Sequence, residues 1–442
     1  MTFLSDGDAD SGAAPCEAPV ARHLLPDSAA VTAAGRLEVA DLDVTALADE
    51  FGTPLFVYDE ATLRARCRQL VDAFGPGNAY ATKAFLCRAM ARLALEEGLR
   101  LDVSTEGEFR VALSAGAGGD QIVFHGNNKS DAELAAVVGL GGARIVVDSF
   151  DEIARLARLV GAPGQHAAQR VLVRVNPGIE AHTHEFIATG REDSKFGFSV
   201  ASGAAQAAIY TLRDLAGVEV VGVHAHIGSQ IMRLESFARA AEVLAPLAVA
   251  GGLAELCVGG GLAVAYLSDE SAPTIAEWAA AITAACGGAG LTPGVRVCVE
   301  PGRAIVATAA MTCYRVGTIK ELPGIRNYVA IDGGMSDNPR PVLYGSGYEA
   351  FLPRAVTAER PYPARIVGKH CESGDVVVAE ARLPADVAVG DVLVTPVTGA
   401  YGFSMASNYN RLGRPAVVFV RDGRARCVVR RETVGDLLRL EP

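Results

Sequence analysis

The chain has 442 residues, half of them hydrophobic and 21% charged, a globular composition with room for two or three domains at roughly 150 residues each. Its 40 Lys and Arg are outweighed by 51 Asp and Glu, a formal net charge of −11 that argues against nucleic acid or an anionic membrane surface as the main partner. No apolar run reaches the roughly 18 residues of a transmembrane helix, and the acidic start MTFLSDGDADSGAAP is unlike a signal peptide, so a cytoplasmic enzyme is expected.

Residues 1–30, rich in Ala, Asp, Ser, Gly and Pro, read as a flexible tail. Residues 31–51 hold the run GRLEVADLDV, expected to supply strand structure to a β domain further on. From 52 to 305, eight β-rich runs alternate with amphipathic or Ala-rich helical patterns such as LCRAMARLALEEG and TIAEWAAAITAAC. The runs are 77–84, 99–105, 121–126, 144–149, 170–176, 218–228, 255–261 and 295–303. Most are continuously apolar, as strands buried on both faces are. Eight βα repeats indicate a (β/α)8 TIM-type barrel, with a doubly wound sheet as the alternative. The barrel is favoured because Lys83, Ser104, His125, Asp148, Asn176, His226, Gly259 and Glu300 each fall at the carboxyl end of one run, the rim where such barrels build sites. After Arg303 the texture changes to short β-patterned segments separated by Gly, Pro and Asp turns, and residues 306–442 read as a C-terminal all-β domain.

Nine cysteines are scattered without a CxxC pair, so neither a disulfide framework nor zinc-ribbon spacing is present. Most lie in apolar runs as small core residues, whereas Cys371 sits in the polar string GKHCESGD. Lys83 ends an apolar strand in AYATKAF and reads either as a Schiff-base lysine or as an exposed loop residue. Gly259, Gly260 and Gly261 directly follow a strand, where bare backbone N–H groups can cradle a phosphate. His226 and Ser229 in HAHIGS end the preceding strand, and EPGR (Glu300, Pro301, Gly302, Arg303) ends the next. Lysine, glycine cradle, imidazole, carboxylate and guanidinium on one rim suit a phosphorylated heteroaromatic cofactor. His224 with His226, and His182 with His184, admit a rival reading as metal ligands, with Asp148 or Glu300 adding a carboxylate. That reading needs a third ligand at a matching rim position, and no metal is expected.

These residues, with YATKAFLC, HGNNKS, VDSFDEI, EAHTHEFIATG, SKFG, DGGMSDNPRPVLY, GKHCESGD and TGAYGFSMASNYN, make the chain resemble the fold type III pyridoxal-phosphate-dependent decarboxylases of basic amino acids. Within them the resemblance is to the diaminopimelate decarboxylases, particularly the actinobacterial form, and it runs from about Leu37 to Glu441. It implies an alanine racemase-like pairing of barrel and β domain, pyridoxal 5'-phosphate as cofactor, and a homodimer with composite active sites. Lys83 then matches the lysine that carries the cofactor, His226 the imidazole stacked on its ring, and Ser229 and the three glycines the phosphate contacts. Glu300 matches the partner of the ring nitrogen, and Arg303 the arginine near phosphate and substrate. Arg340 and Tyr344 match the pair that grips the distal carboxylate of the amino-acid substrate. Cys371 matches the catalytic thiol, Glu372 the acceptor of the substrate ammonium, and Tyr401 a tyrosine reaching cofactor and substrate. The sequence departs from the family pattern at Phe85, where Asn is common, and at Glu106 and Ala263, where Gly is.

The expected reaction is loss of CO2 from meso-2,6-diaminopimelate to give L-lysine, with Glu300 favouring decarboxylation over racemisation and Cys371 returning a proton. The alternatives are a relative acting on another, carrier-bound amino acid and a cofactor-binding regulator without activity. Asn127, Asn128, Asp148, Asp332, Tyr409 and Asn410 read equally well as caps, turns or packing residues.

Overall fold

The computed structural model describes residues 20–161, 167–179 and 193–442. Eight parallel strands form a ring: Ala79–Ala81, Arg100–Val103, Ile122–Phe124, Arg144–Val147, Gln169–Asn176, Val218–His224, Glu255–Cys257 and Arg296–Cys298, each paired with its predecessor in sequence. Just beyond the last strand the ring closes, the Ala79 and Ala81 N–H groups donating to the carbonyls of Val299 and Pro301 at 3.1 and 3.2 Å. All eight match runs expected from the sequence, and the order is that of a barrel and not of a doubly wound sheet.

The two-residue period of the strands explains their continuous apolarity. Ala79, Val123, Val146, Leu172 and Val221 form one small cluster filling the ring. Their neighbours Ile122, Phe124, Ile145 and Val147 pack outward with Leu134, Val137, Ile153 and Leu156 of the surrounding helices. Helices start where a side-chain oxygen accepts an N–H of the first turn: Ser130 before Asp131–Leu140, Ser149 before Phe150–Leu159 and Thr274 before Ile275–Gly288. Ser149, and not Asp148, is therefore the cap at that site.

The second sheet runs in the order Val376–Leu383, Tyr362–Val367, Arg326–Ile331, Ala310–Leu322, Leu55–Asp59, Ala416–Arg421, Arg424–Val429, with Val392–Pro396 also pairing Ala310–Leu322. Leu55–Asp59 falls inside the 52–305 span expected for the barrel, yet it pairs antiparallel with Ala310–Leu322 and parallel with Ala416–Arg421. Its five residues are all buried, so it reads like a barrel strand although it belongs to the other sheet. The run around GRLEVADLDV does not join that sheet either. Ala29–Val31, Leu37–Val39 and Leu42–Asp43 form a separate three-stranded antiparallel sheet whose Leu37 and Val39 pack with Leu55, Met311 and Val394. Residues 20–30, expected as tail, are held in place: Leu24 and Leu25 are buried, and the Arg22 guanidinium donates to the carbonyls of Leu25, Pro26 and Asp27.

EAHTHEFIATG, with His182 and His184, lies outside the described residues. Among those described, no helix is long and apolar enough to cross a membrane.

Candidate active site

The carboxyl ends of the barrel strands open on a cavity of about 610 Å³. Lys83 reaches it from the short turn Thr82–Ala84 after the first strand. That turn is pinned from below: the Thr82 hydroxyl donates to the Asp102 carbonyl at 2.7 Å, and the Tyr80 hydroxyl to the Phe85 carbonyl at 2.6 Å. Phe85, one of the departures from the family pattern, is fully buried and stacks on Tyr58 with ring centroids 4.3 Å apart. Its ring fills the seam with the β domain while the neighbouring lysine stays exposed to the cavity.

Glu300 sits at the cavity floor between two imidazoles. His125 Nε2 lies 3.2 Å from Oε1 and His224 Nε2 2.8 Å from Oε2. Burial pushes this carboxyl's pKa up, but the charges and hydrogen bonds of the two histidines outweigh it and hold Glu300 well below the usual carboxylate range. Asp102, 3.5 Å from the same His125 nitrogen, takes the opposite course: burial raises it to about 6, opposed by His125 and reinforced by Glu300. His226 is neutral, its pKa driven well below the ordinary value by burial and then by the charges of Lys83 and Arg174. Its tautomer is fixed as well, since the Gly260 N–H donates to Nδ1 at 3.2 Å and leaves the proton on Nε2.

Gly259 (φ +74°) and Gly261 (φ +109°) adopt left-handed backbone conformations. A Cβ on Gly260 would collide with the Glu300 carbonyl, so the strand ends approach one another only through glycine. Beside this cradle the Arg303 guanidinium donates to Ser229 Oγ at 3.0 Å and to the Tyr266 hydroxyl at 2.5 Å. Its Nε is buried without a partner among the described residues, and no carboxylate there pairs with it. A glycine cradle, an uncompensated buried cation, a neutral imidazole, an ionised carboxylate and an accessible lysine together fit a phosphorylated pyridine aldehyde.

Arg340, Tyr344 and Tyr401 line the same cavity. Arg340, buried at the start of the short helix Arg340–Tyr344, lies 4.0 Å over the Tyr266 ring and donates from Nη1 to the Tyr348 hydroxyl at 2.5 Å. Its Nε and Nη2 make no hydrogen bond among the described residues. Tyr401 is held by its backbone N–H, which donates to the Ala84 carbonyl at 2.8 Å, and its ring faces Arg303 at 4.9 Å. Pro301 and Gly302 stand behind the rim, closing the barrel and opening the helix Arg303–Val306. Cys371 and Glu372 do not line the cavity and lie exposed on a loop of the β domain.

His125, His224 and Glu300 bring three ligand-type atoms within 4.8 Å of one another. The HxH metal reading needed His226 alongside His224, but those two imidazoles serve different partners, Gly260 and Glu300. Glu106 points its charge at Arg110, 3.2 Å away on an exposed helix face, and does not line the cavity. Asn127 and Asn128 do line it. Sequence reasoning gave no site role to Asp102, Arg174, Tyr266 or Tyr348 and read His224 only as a metal ligand. Asp102, Arg174 and His224 each stand two residues before a noted rim residue (Ser104, Asn176 and His226), so the strand period could have found them.

Residues 60–307 match the family described as pyridoxal-dependent decarboxylase, pyridoxal binding domain. A diaminopimelate decarboxylase of Mycobacterium tuberculosis is 47% identical over 422 residues, covering 91% of this chain and 94% of that protein. One from Bacillus subtilis is 43% identical over 430 residues, covering 92% and 95%. The crystal structure of a diaminopimelate decarboxylase from M. jannaschii in complex with L-lysine superposes with a TM-score of 0.85 at 32% identity, covering 94% of this chain and 98% of that one. With its barrel, its lysine-bearing cavity and these relatives, the chain belongs to the diaminopimelate decarboxylase family of pyridoxal-dependent decarboxylases.

Proposed function

We propose that the protein removes the carboxylate from the D centre of meso-2,6-diaminopimelate to give L-lysine and CO2, the closing step of a route to lysine. Bound pyridoxal 5'-phosphate supplies an electron sink for the pair left by the broken C–C bond. Lys83 would carry the cofactor, Gly259, Gly260, Gly261, Ser229 and Arg303 its phosphate, and neutral His226 the face of its ring. Glu300, held ionised by two imidazoles, would keep the ring nitrogen protonated. The observation that carries the substrate assignment is Arg340, a buried guanidinium with two free donor nitrogens and no carboxylate partner among the described residues, facing the Lys83 cavity. A guanidinium edge so presented suits a second carboxylate. Tyr344, Arg303 and Tyr401 complete that grip.

The Sγ proton of Cys371 would pass to the reacting carbon, and Glu372 would accept the distal ammonium. Both lie away from the Lys83 cavity of their own chain, which supports a homodimer in which each β-domain loop serves the partner's barrel. A cytoplasmic setting agrees with eight described cysteines that are all unpaired. The test is a decarboxylation assay across meso-diaminopimelate, ornithine, lysine and arginine, with turnover expected for the first. Preference for ornithine would overturn the substrate assignment. Lys83→Ala and Cys371→Ala subunits, each nearly inactive, should recover roughly a quarter of full activity when refolded together, because half of the dimers are then mixed with one sound site of two.

A further inference from the structure

We propose that His370 and Asp375 act as a positioning clasp that locks three site-bearing segments into one piece: the turn leading into Arg340, the loop carrying Cys371 and Glu372, and the stretch after Tyr401. The proposal deepens the composite-site reading above and rests on it for the role of Cys371.

In GKHCESGD the thiol and the glutamate are exposed, but the residue beside them is not. The side chains of His370 and Asp375 are 0% and 2% exposed and lie 2.7 Å apart, Nδ1 to Oδ2. The same carboxylate accepts the His370 N–H at 3.0 Å and, through Oδ1, the Met335 N–H at 2.6 Å. Gly334 and Gly368 back so closely onto it that a Cβ on either would overlap its oxygens. From there the Asn338 N–H returns to the Gly334 carbonyl at 2.9 Å, and the helix bearing Arg340 and Tyr344 begins two residues on. The third segment closes from the other side. The Tyr409 ring lies nearly parallel to His370, centroids 5.4 Å apart and planes 11° from parallel. Asn410 Oδ1 accepts the Cys371 N–H at 3.0 Å, and the Ser407 N–H donates to the Ser336 carbonyl at 2.8 Å.

None of the clasp residues lines the cavity, so they touch neither cofactor nor substrate there. What they join is functional on both sides. Arg340 and Tyr401 belong to one active site, and Cys371 and Glu372 to the site across the dimer. A reacting group displaced by about 1 Å can lose on the order of a hundredfold in rate, so a rigid link between the two sets has a catalytic effect.

The test uses the cofactor-loaded enzyme. His370→Phe keeps a flat ring for Tyr409 and removes the bond to Asp375, whereas the amide nitrogen of His370→Asn can stand in for Nδ1. His370→Phe is expected to keep the cofactor content and absorbance of the parent enzyme, lower kcat at least tenfold and raise KM for meso-diaminopimelate at least threefold. His370→Asn should recover most of both. If His370→Phe does not fold, Asp375→Asn, which retains the Met335 contact, carries the same expectation. Mixed dimers then separate the two sides. With Lys83→Ala as partner, the working site of a His370→Phe subunit has an altered grip and a sound thiol loop, and KM should rise. With Lys83→Ala/His370→Phe against Cys371→Ala, the grip is sound and the loop altered, and kcat should fall. A parental KM in the first hybrid would overturn the clasp. An inactive Lys83→Ala with Cys371→Ala hybrid would instead overturn the composite site, and parental kcat and KM in the His370 and Asp375 variants would still refute the clasp on their own.

Discussion

Arg340→Ala gives the sharpest measure of what holds the distal carboxylate. The guanidinium is buried, one nitrogen is committed to Tyr348, and the Nε–Nη2 edge is left for a ligand. Removing one partner of a desolvated charged pair costs about 2–5 kcal/mol. The lower half of that range applies here, because Tyr344 and Arg303 remain in the cavity and the space vacated admits water. A loss of about 2–3 kcal/mol corresponds to a fall of roughly 30- to 150-fold in kcat/KM for meso-diaminopimelate. The fall should come mainly through KM, since the grip is made in ground state and transition state alike. Competitive inhibition supplies the internal control. L-Lysine retains a carboxylate and should inhibit the variant far less well, whereas cadaverine has none and should inhibit both enzymes equally. A kcat/KM within threefold of the parent, or equal weakening of both inhibitors, would refute the assignment.

Borohydride reduction followed by peptide mapping should label Lys83, and a label on any other lysine would move the cofactor elsewhere. Lys129 and Glu152, both almost wholly buried and 2.8 Å apart, should be worth more to stability together than either is alone. Lys129→Met strands a buried carboxylate at a cost of about 3–5 kcal/mol and should lower Tm by roughly 3–5 °C in a chain of this length, while Lys129→Met/Glu152→Leu should regain most of it. Burial raises Asp337 to about 7, so between pH 4 and about 7 the folded protein holds a proton that the unfolded chain has released. Stability from this group is therefore full below pH 4 and declines as pH rises through about 7, and Asp337→Asn should flatten that part of the Tm–pH curve; an unchanged slope would place the titration elsewhere.

The barrel was legible because each of its strands is short, apolar and followed by a polar rim residue, a pattern set by burial on both faces. Lys83, Glu300, His226 and the glycines could be read for the same reason, since rim position follows from strand ends. Leu55–Asp59 was misassigned because LFVYD is buried throughout in either sheet, and only pairing distinguishes the two. The strand period marks Asp102 and His224 as sharing a face with rim residues, but not what they do there, because their partners His125 and Glu300 come from strands far apart in sequence. The separation of Cys371 from the Lys83 cavity depends on where two domains sit, which no local period encodes.

The pairing of Leu55–Asp59 with Ala310–Leu322 and Ala416–Arg421 makes the barrel an insertion within the β domain, and this bears on the order of events during synthesis. The barrel is complete on the ribosome once about residue 303 has emerged, but strand 55–59 must then wait for partners made 250 to 360 residues after it. Ala310–Leu322 follows the barrel directly and can cover one edge, but until Ala416–Arg421 is made the other edge of an apolar strand stays unpaired beside a finished barrel, a species open to edge-to-edge association. Chaperone demand in the cell should therefore peak late in translation. For the same reason a fragment cut near residue 306 would leave one piece with an orphan strand and the other with a gap at the centre of its sheet.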